Sequence, residues 1–204
     1  QTTGDVCPVY SKQFSLFSSP NQSLSSVAHA TLSVTAMGVY EASLNGKRIG
    51  DFVLAPGWTS YRHRLQVQTY DVTELLSSEN ELSILVGKGW YRSPLAWPDE
   101  AHRQEKAQIS AGLIALLTIT YTDGSTQLLP TGADWSAYES NVRFSEIYDG
   151  ETYDAAFDPS SAPIAIAEFD GPSDTLIAQQ GEKITEQERI LPARIFTTPA
   201  GETV

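Results

Sequence analysis

Two short stretches of this chain combine large aromatic rings with turn-forming residues. Trp58 and Tyr61 follow Pro56-Gly57, and Trp90, Tyr91 and Arg92 follow Gly87-Lys88-Gly89. Rings beside Gly and Pro tend to lie at strand ends and loops, where one face stays open to solvent. Trp97 adds a further ring, and Asp51, Asn45, Asp99, Asp149 and Glu151 add carboxylate and amide groups. A flat C–H face bounded by hydroxyls is met by such a set: an aromatic platform for the face, charged or amide groups for the rim. That is carbohydrate chemistry. The competing reading is that most of these rings close the ends of the fold as packing. Trp135, inside a strand pattern, belongs to the core.

Other chemistries are poorly served. The chain has no G-x-S-x-G elbow and no H-E-x-x-H helix. His29, His63 and His102 share no ligand spacing and read as surface residues. Asp149 with Glu151, or Asp99 with Glu100, could act as acid and base only if the fold spaced them suitably and shifted one pKa. Turn residues and solvated charge are the plainer account. Asp51 follows Gly50 and caps a turn, or binds a hydroxyl or a hard cation. Ca²⁺ needs six or more oxygens and no EF-hand-like loop supplies them, so a calcium site would have to be assembled from Asp51 and the 93–106 loop.

With 204 residues the chain can hold one sizeable β domain plus an extension, or two small domains. A 41% hydrophobic content supports a core. The 13 basic and 25 acidic residues leave a formal charge of −12. That disfavours nucleic acid and acidic membrane surfaces, both of which need a basic face. Cys7 is the single cysteine, so there is no internal disulfide; this fits a reducing compartment without excluding export. No run approaches a membrane span. The N-terminus lacks the charged and apolar parts of a signal peptide and an initiating Met, and reads as the start of an excised piece.

The positioning elements are short strands. Residues 1–9 read as a frayed lead-in, Tyr10 to Phe17 as a first strand and Ser18 to Ser26 as a loop. Thr31 to Leu44 reads as one strand whose even positions, from Leu32 to Leu44, face inward. Asn45-Gly46 suits the φ > 0 corners of a two-residue hairpin, with Lys47 to Val53 returning. Leu65 to Tyr70 is a strand, Asp71 to Leu76 one turn of helix with its capping residues, and Glu81 to Val86 a strand. Ser93 to Lys106 reads as an exposed loop. Ile109 to Tyr121 is a strand that shows every odd position to the core. Asp123-Gly124 and Asp149-Gly150 are turns, with Thr126 to Leu129, Trp135 to Tyr138 and Phe144 to Tyr148 as strands. The Ala-, Pro- and Ser-rich run from Ala155 to Ala167 marks a boundary. Thr175 to Val204 holds further strand-like pieces, Leu176 to Ala178 and Arg194 to Thr197. The sum predicts an all-β, antiparallel sandwich of the jelly-roll kind over 1–168, with a partial second β segment over 169–204.

Five blocks now carry a resemblance. V-T-A-M-G-V-Y-E-A-S-L-N-G-K-R-I-G-D, A-P-G-W-T-S-Y, L-Q-V-Q-T-Y-D-V-T-E-L-L, G-K-G-W-Y-R and I-Y-D-G-E-T-Y-D-A resemble, in this order, the N-terminal accessory domain of bacterial α-L-rhamnosidases. The likeness runs from about Val9 to Ala156, and the 184–204 tail resembles the start of that family's next β-sandwich domain. The resemblance implies a parent enzyme that hydrolyses terminal α-L-rhamnosides with inversion. Its catalytic carboxylates would lie in a downstream (α/α)6 barrel, so no catalytic residue is carried over. It also implies L-rhamnose or rhamnosides as ligands and the remaining domains of the parent as partners. Some such domains bind L-rhamnose with the help of Ca²⁺, which makes Asp51 the first candidate metal ligand. The function expected is a non-catalytic accessory domain that binds carbohydrate or shapes the substrate side. The alternatives are a structural spacer and, far behind, a free-standing hydrolase using Asp149 and Glu151. An edge left open by absent domains could pair isolated copies as a dimer.

Overall fold

The computed structural model describes residues 7–17, 26–95, 99–171, 173–191 and 193–203. Trp97 lies outside these, as do residues 1–6 and nearly all of the loop expected over Ser18 to Ser26.

Twelve strands among the described residues make two five-stranded sheets and a ribbon. The first sheet combines β1 (Pro8–Ser15), β3 (Val39–Leu44), β4 (Lys47–Arg48), β6 (Glu79–Gly87) and β9 (Ser136–Glu139), in the order β4-β3-β6-β1-β9. The second combines β2 (Val27–Ala36), β5 (Leu65–Asp71), β7 (Leu113–Tyr121), β8 (Thr126–Pro130) and β12 (Leu176–Ala178), in the order β12-β5-β2-β7-β8. β10 (Val142–Glu146) and β11 (Gly150–Tyr153) form the separate ribbon. The expected all-β antiparallel sandwich is the architecture found. One pair departs from it: β12 runs parallel to β5, in the register Leu176 to Leu65.

The inward rows meet in a single interlayer. Leu82, Ile84 and Val86 of β6 face Ala30, Leu32 and Val34 of β2 and Ala115, Leu117 and Ile119 of β7, all buried in one cluster. Trp135 is buried there too, just ahead of β9, and its indole N–H donates to Pro130 O at 3.0 Å. Cys7, outside any disulfide, is buried beside β1.

The run expected as one strand over Thr31 to Leu44 is two. β2 ends at Ala36 in the second sheet, and β3 starts at Val39 in the first. The chain turns the corner at Met37-Gly38, where a Cβ on Gly38 would stand 2.2 Å from the Gly87 carbonyl oxygen. Even-numbered residues stay inward on both sides of this corner, so the period-two pattern runs through it unbroken and hides it.

Other expectations shift by smaller amounts. β1 begins at Pro8, inside the supposed lead-in. The strand expected from Ile109 starts at Leu113, although Ala111 still packs on the core. The return after Asn45-Gly46 lasts only Lys47–Arg48, after which residues 49–64 form a long loop. Asn45 and Gly46 do hold φ 55° and 73°, as a hairpin corner requires. The helical turn is a 3-10 turn over Thr73–Leu75, with Asp71 Oδ1 accepting from Thr73 N at 2.9 Å and Thr73 Oγ1 at 2.6 Å. The exposed loop expected over Ser93 to Lys106 instead contains a helix, α2 (Glu100–Ala107); α1 (Gly89–Arg92) is a single turn. Asp99 caps α2 by accepting from Ala101 N at 3.0 Å. The signal was present: Asp followed by Glu-Ala and then by Glu and Lys in the last turn is an N-cap followed by helix formers. No helix among the described residues is long and apolar enough to cross a membrane.

Replacing Gly38 by Ala should cost about 1–3 kcal/mol, the usual range for overpacking, because the opposing atom is backbone and cannot rotate away. Chemical denaturation checks this; a midpoint unchanged from wild type would mean that the corner has slack.

Candidate functional site

The two aromatic stretches, 30 residues apart in sequence, come together in space. The ring centroids of Trp58 and Trp90 lie 6.2 Å apart with planes 9° from parallel, and those of Tyr61 and Tyr91 lie 4.7 Å apart at 44°. Trp58 comes from the 49–64 loop and Trp90 from α1, which leaves the end of β6. Trp58 is 67% exposed while Trp90 is half-buried, so Trp58 lies outermost in the stack. Offset stacking of this kind adds about 0.5–1.5 kcal/mol beyond the area buried.

Backbone bonds fix both segments. Tyr61 OH donates to Gly57 O at 2.9 Å, and Gly57 N donates to Leu54 O at 2.9 Å. Lys106 Nζ of α2 donates to Tyr91 O at 3.1 Å, so the helix that sequence reading missed braces α1. Beneath the loop, Gln66 and Gln68 of β5 face inward in phase with Tyr70. Both amides donate to Pro56 O, at 3.1 Å and 3.4 Å. Two glutamines in the inward phase of L-Q-V-Q-T-Y were the sequence signal for this polar layer, and it was overlooked.

The expected polar rim is dispersed. Arg92 is buried, with its charge close enough to the Tyr10 phenol to oppose the upward push of burial there. Asn45 is spent on structure: its amide donates to Leu75 O and to Asn80 Oδ1, both at 2.9 Å, and accepts from Glu81 N at 2.9 Å. Asp51 is exposed and pairs with Lys183 at 3.6 Å. Asp149 and Glu151 are exposed on the β10–β11 ribbon, whose turn is held by Glu146 Oε2 accepting from Tyr148 N and Asp149 N. The ribbon abuts the entrance to α1, with Lys88 Nζ 4.9 Å from the Phe144 ring centre.

No group of three or more His, Cys, Asp or Glu residues gathers among the described residues. Asp51, already engaged by Lys183, and the capping carboxylate of Asp99 do not form the many-oxygen shell that Ca²⁺ requires. The described residues therefore do not fit the calcium site expected from Asp51 and the 93–106 loop.

The family model for the α-L-rhamnosidase N-terminal domain matches residues 25–188, most of the chain. The chain belongs to this family. Within it, an α-L-rhamnosidase of Streptomyces avermitilis is 35% identical over 183 residues, covering 85% of this chain and 17% of that protein. One from an Alteromonas species is 39% identical over 135 residues, covering 65% of this chain and 14% of its own length. Among solved structures, an α-L-rhamnosidase from Aspergillus terreus superposes on all of this chain and 24% of its own, with 30% identity and a TM-score of 0.82. The Streptomyces avermitilis enzyme, solved with L-rhamnose, superposes on 96% of this chain and 19% of its own, with 33% identity and a TM-score of 0.78. The rhamnosidase N-terminal domain described here thus spans about a sixth of these curated relatives.

Burial raises the Tyr61 phenol far above its ordinary value, and the neighbouring Tyr91 adds to the rise; Tyr91 is itself raised by burial. A folded-state value above the unfolded one stabilises fully below about pH 10 and is lost as pH climbs above it. The thermal midpoint should therefore fall as pH climbs above about 10, and Tyr61→Phe should make that fall shallower. Parallel midpoint curves for the two proteins would show that Tyr61 ionises as freely folded as unfolded.

Proposed function

We propose that this chain is a non-catalytic accessory domain of an α-L-rhamnosidase that offers the Trp58–Trp90 stack as a platform for L-rhamnose or a terminal rhamnoside. The single observation that carries this reading is geometric. One ring from the 49–64 loop and one from α1 stack nearly parallel, and the outer one is left two-thirds in solvent. A ring that only closed the end of the sandwich would gain more by burying that face, since apolar surface left in water forfeits about 25 cal/mol per Å². The deoxysugar suits such a platform, because its methyl group enlarges the apolar side of the ring. That the Streptomyces avermitilis relative was solved with L-rhamnose is in keeping with this ligand. Tyr61 and Tyr91 extend the apolar surface beside the stack.

A structural spacer is favoured by a different face. Ile114, Leu116 and Leu128 are exposed together on the outside of the second sheet, on adjoining strands. An apolar row of this kind suits packing against a further domain, such as a catalytic barrel.

Calorimetric titration of the chain with L-rhamnose, in the presence and in the absence of Ca²⁺, separates the two. Heat of binding is expected, and Trp90→Ala should weaken the affinity about tenfold, or about 1.4 kcal/mol. Silence in both titrations would leave the spacer. No turnover of an aryl α-L-rhamnoside is expected from this chain; release of the aryl group would overturn the non-catalytic assignment.

A further inference from the structure

In the loop bearing Trp58, the Pro56 carbonyl is shared by two buried side-chain amides, next to Ala55 O, which accepts from Tyr40 N at 2.8 Å. Each amide is completed by the C-terminal tail. Gln66 Oε1 accepts from Gln180 N at 2.8 Å, and Gln68 Nε2 donates to Gln179 Oε1 at 2.5 Å. Gln68 Oε1 accepts from Tyr40 OH at 2.8 Å, and the Tyr40 hydroxyl oxygen lies 3.1 Å from that of Tyr70. Gln179 N donates to Val67 O at 3.0 Å, continuing the parallel pairing of β12 with β5. The tail also holds the near end of the same loop, where Val53 N donates to Ile184 O at 2.9 Å and Lys183 pairs with Asp51.

Two consecutive tail residues therefore meet the hydrogen-bonding needs of both glutamines that hold Pro56. A buried amide deprived of one partner turns to find another, because an unmade buried hydrogen bond is expensive. Here, turning either glutamine removes one of the two bonds that Pro56 O accepts, two residues before Trp58.

We infer that Gln179 and Gln180 are positioning residues for the aromatic stack: the docked tail, acting through Gln66 and Gln68, sets Pro56 and so holds Trp58 against Trp90. The consequence is a mechanical link between the ligand-facing loop and the segment that leads out of the sandwich. A sugar wedged against Trp58 tightens the tail, and a displaced tail loosens the platform. The link rests on the proposed role of the Trp58–Trp90 stack as the ligand surface, but its first readout needs no ligand.

Two closely stacked indoles give an exciton couplet in the far-ultraviolet circular dichroism. Trp58→Phe should abolish the couplet and so establish its source. Gln179→Ala should lower its amplitude by at least half, with cooperative melting retained, while Gln179→Glu, which keeps the Oε1 acceptor, should preserve it. L-Rhamnose affinity should fall several-fold in Gln179→Ala and recover in Gln179→Glu. If Gln179→Ala does not melt cooperatively, Gln180→Pro, which removes the N–H that donates to Gln66 Oε1 and also fixes the backbone there, carries the same test. A couplet of wild-type amplitude in the folded variant would overturn the inference. A couplet that falls as expected, in a protein that binds no sugar even as wild type, would retain the tail-to-platform link and remove only the ligand reading.

Discussion

The layer between the two sheets has to be filled from both sides by side chains that alternate along each strand, and most of this structure follows from that demand. Leu32, Val34 and Ala36 serve it from the second sheet; after the Gly38 corner, Tyr40, Ala42 and Leu44 serve it from the first. One unbroken inward row thus staples both layers. Burying the Leu and Val side chains of this row is worth about 1.5–3 kcal/mol each relative to exposure, so register is strongly held on both sides of the corner. The rigid frame that results gives two loops, leaving different strands, a fixed distance to bridge.

Where that apolar layer runs out, near the 49–64 loop, polar groups take over. Tyr40, Tyr70, Gln66 and Gln68 form a hydrogen-bonded seam whose outlets are the Pro56 carbonyl and the tail. Buried networks of this kind are stable only when complete, and completion here requires a strand from the far end of the chain. This explains why a short parallel strand is added to an otherwise antiparallel body. β12 contributes only three residues of pairing, but the two residues after it complete both glutamines. The platform, the seam and the tail are consequently one physical unit, although they lie far apart in sequence.

The acidic character of the chain plays little part in this assembly. Asp71, Asp99, Asp123 and Asp158 cap turns and helix ends, each accepting from a backbone N–H two residues ahead. Glu146 holds the ribbon turn in a similar way, accepting from Tyr148 N and Asp149 N. These carboxylates are local devices, and the described residues hold no group of three or more His, Cys, Asp or Glu placed to bind a metal ion.

Period-two alternation, the Asn45-Gly46 corner, the Asx caps and the pairing of rings with Gly and Pro were all legible in the residues themselves. These are local features: strand faces, turn dihedrals and caps depend on neighbours within a few positions. The helix at Glu100–Ala107 was equally local and was masked by the Pro- and Trp-rich residues before it. What the sequence by itself could determine, then, was the class of fold and the residue types of the candidate surface site. The sheet change at Gly38, the stacking of Trp58 on Trp90, the withdrawal of Arg92 and Asn45 into the interior, and the parallel return of the tail to β5 were decided only by tertiary structure. Alternation has the same parity whether a chain stays in one sheet or crosses to another, and the meeting of two loops depends on the distance between the strands that carry them.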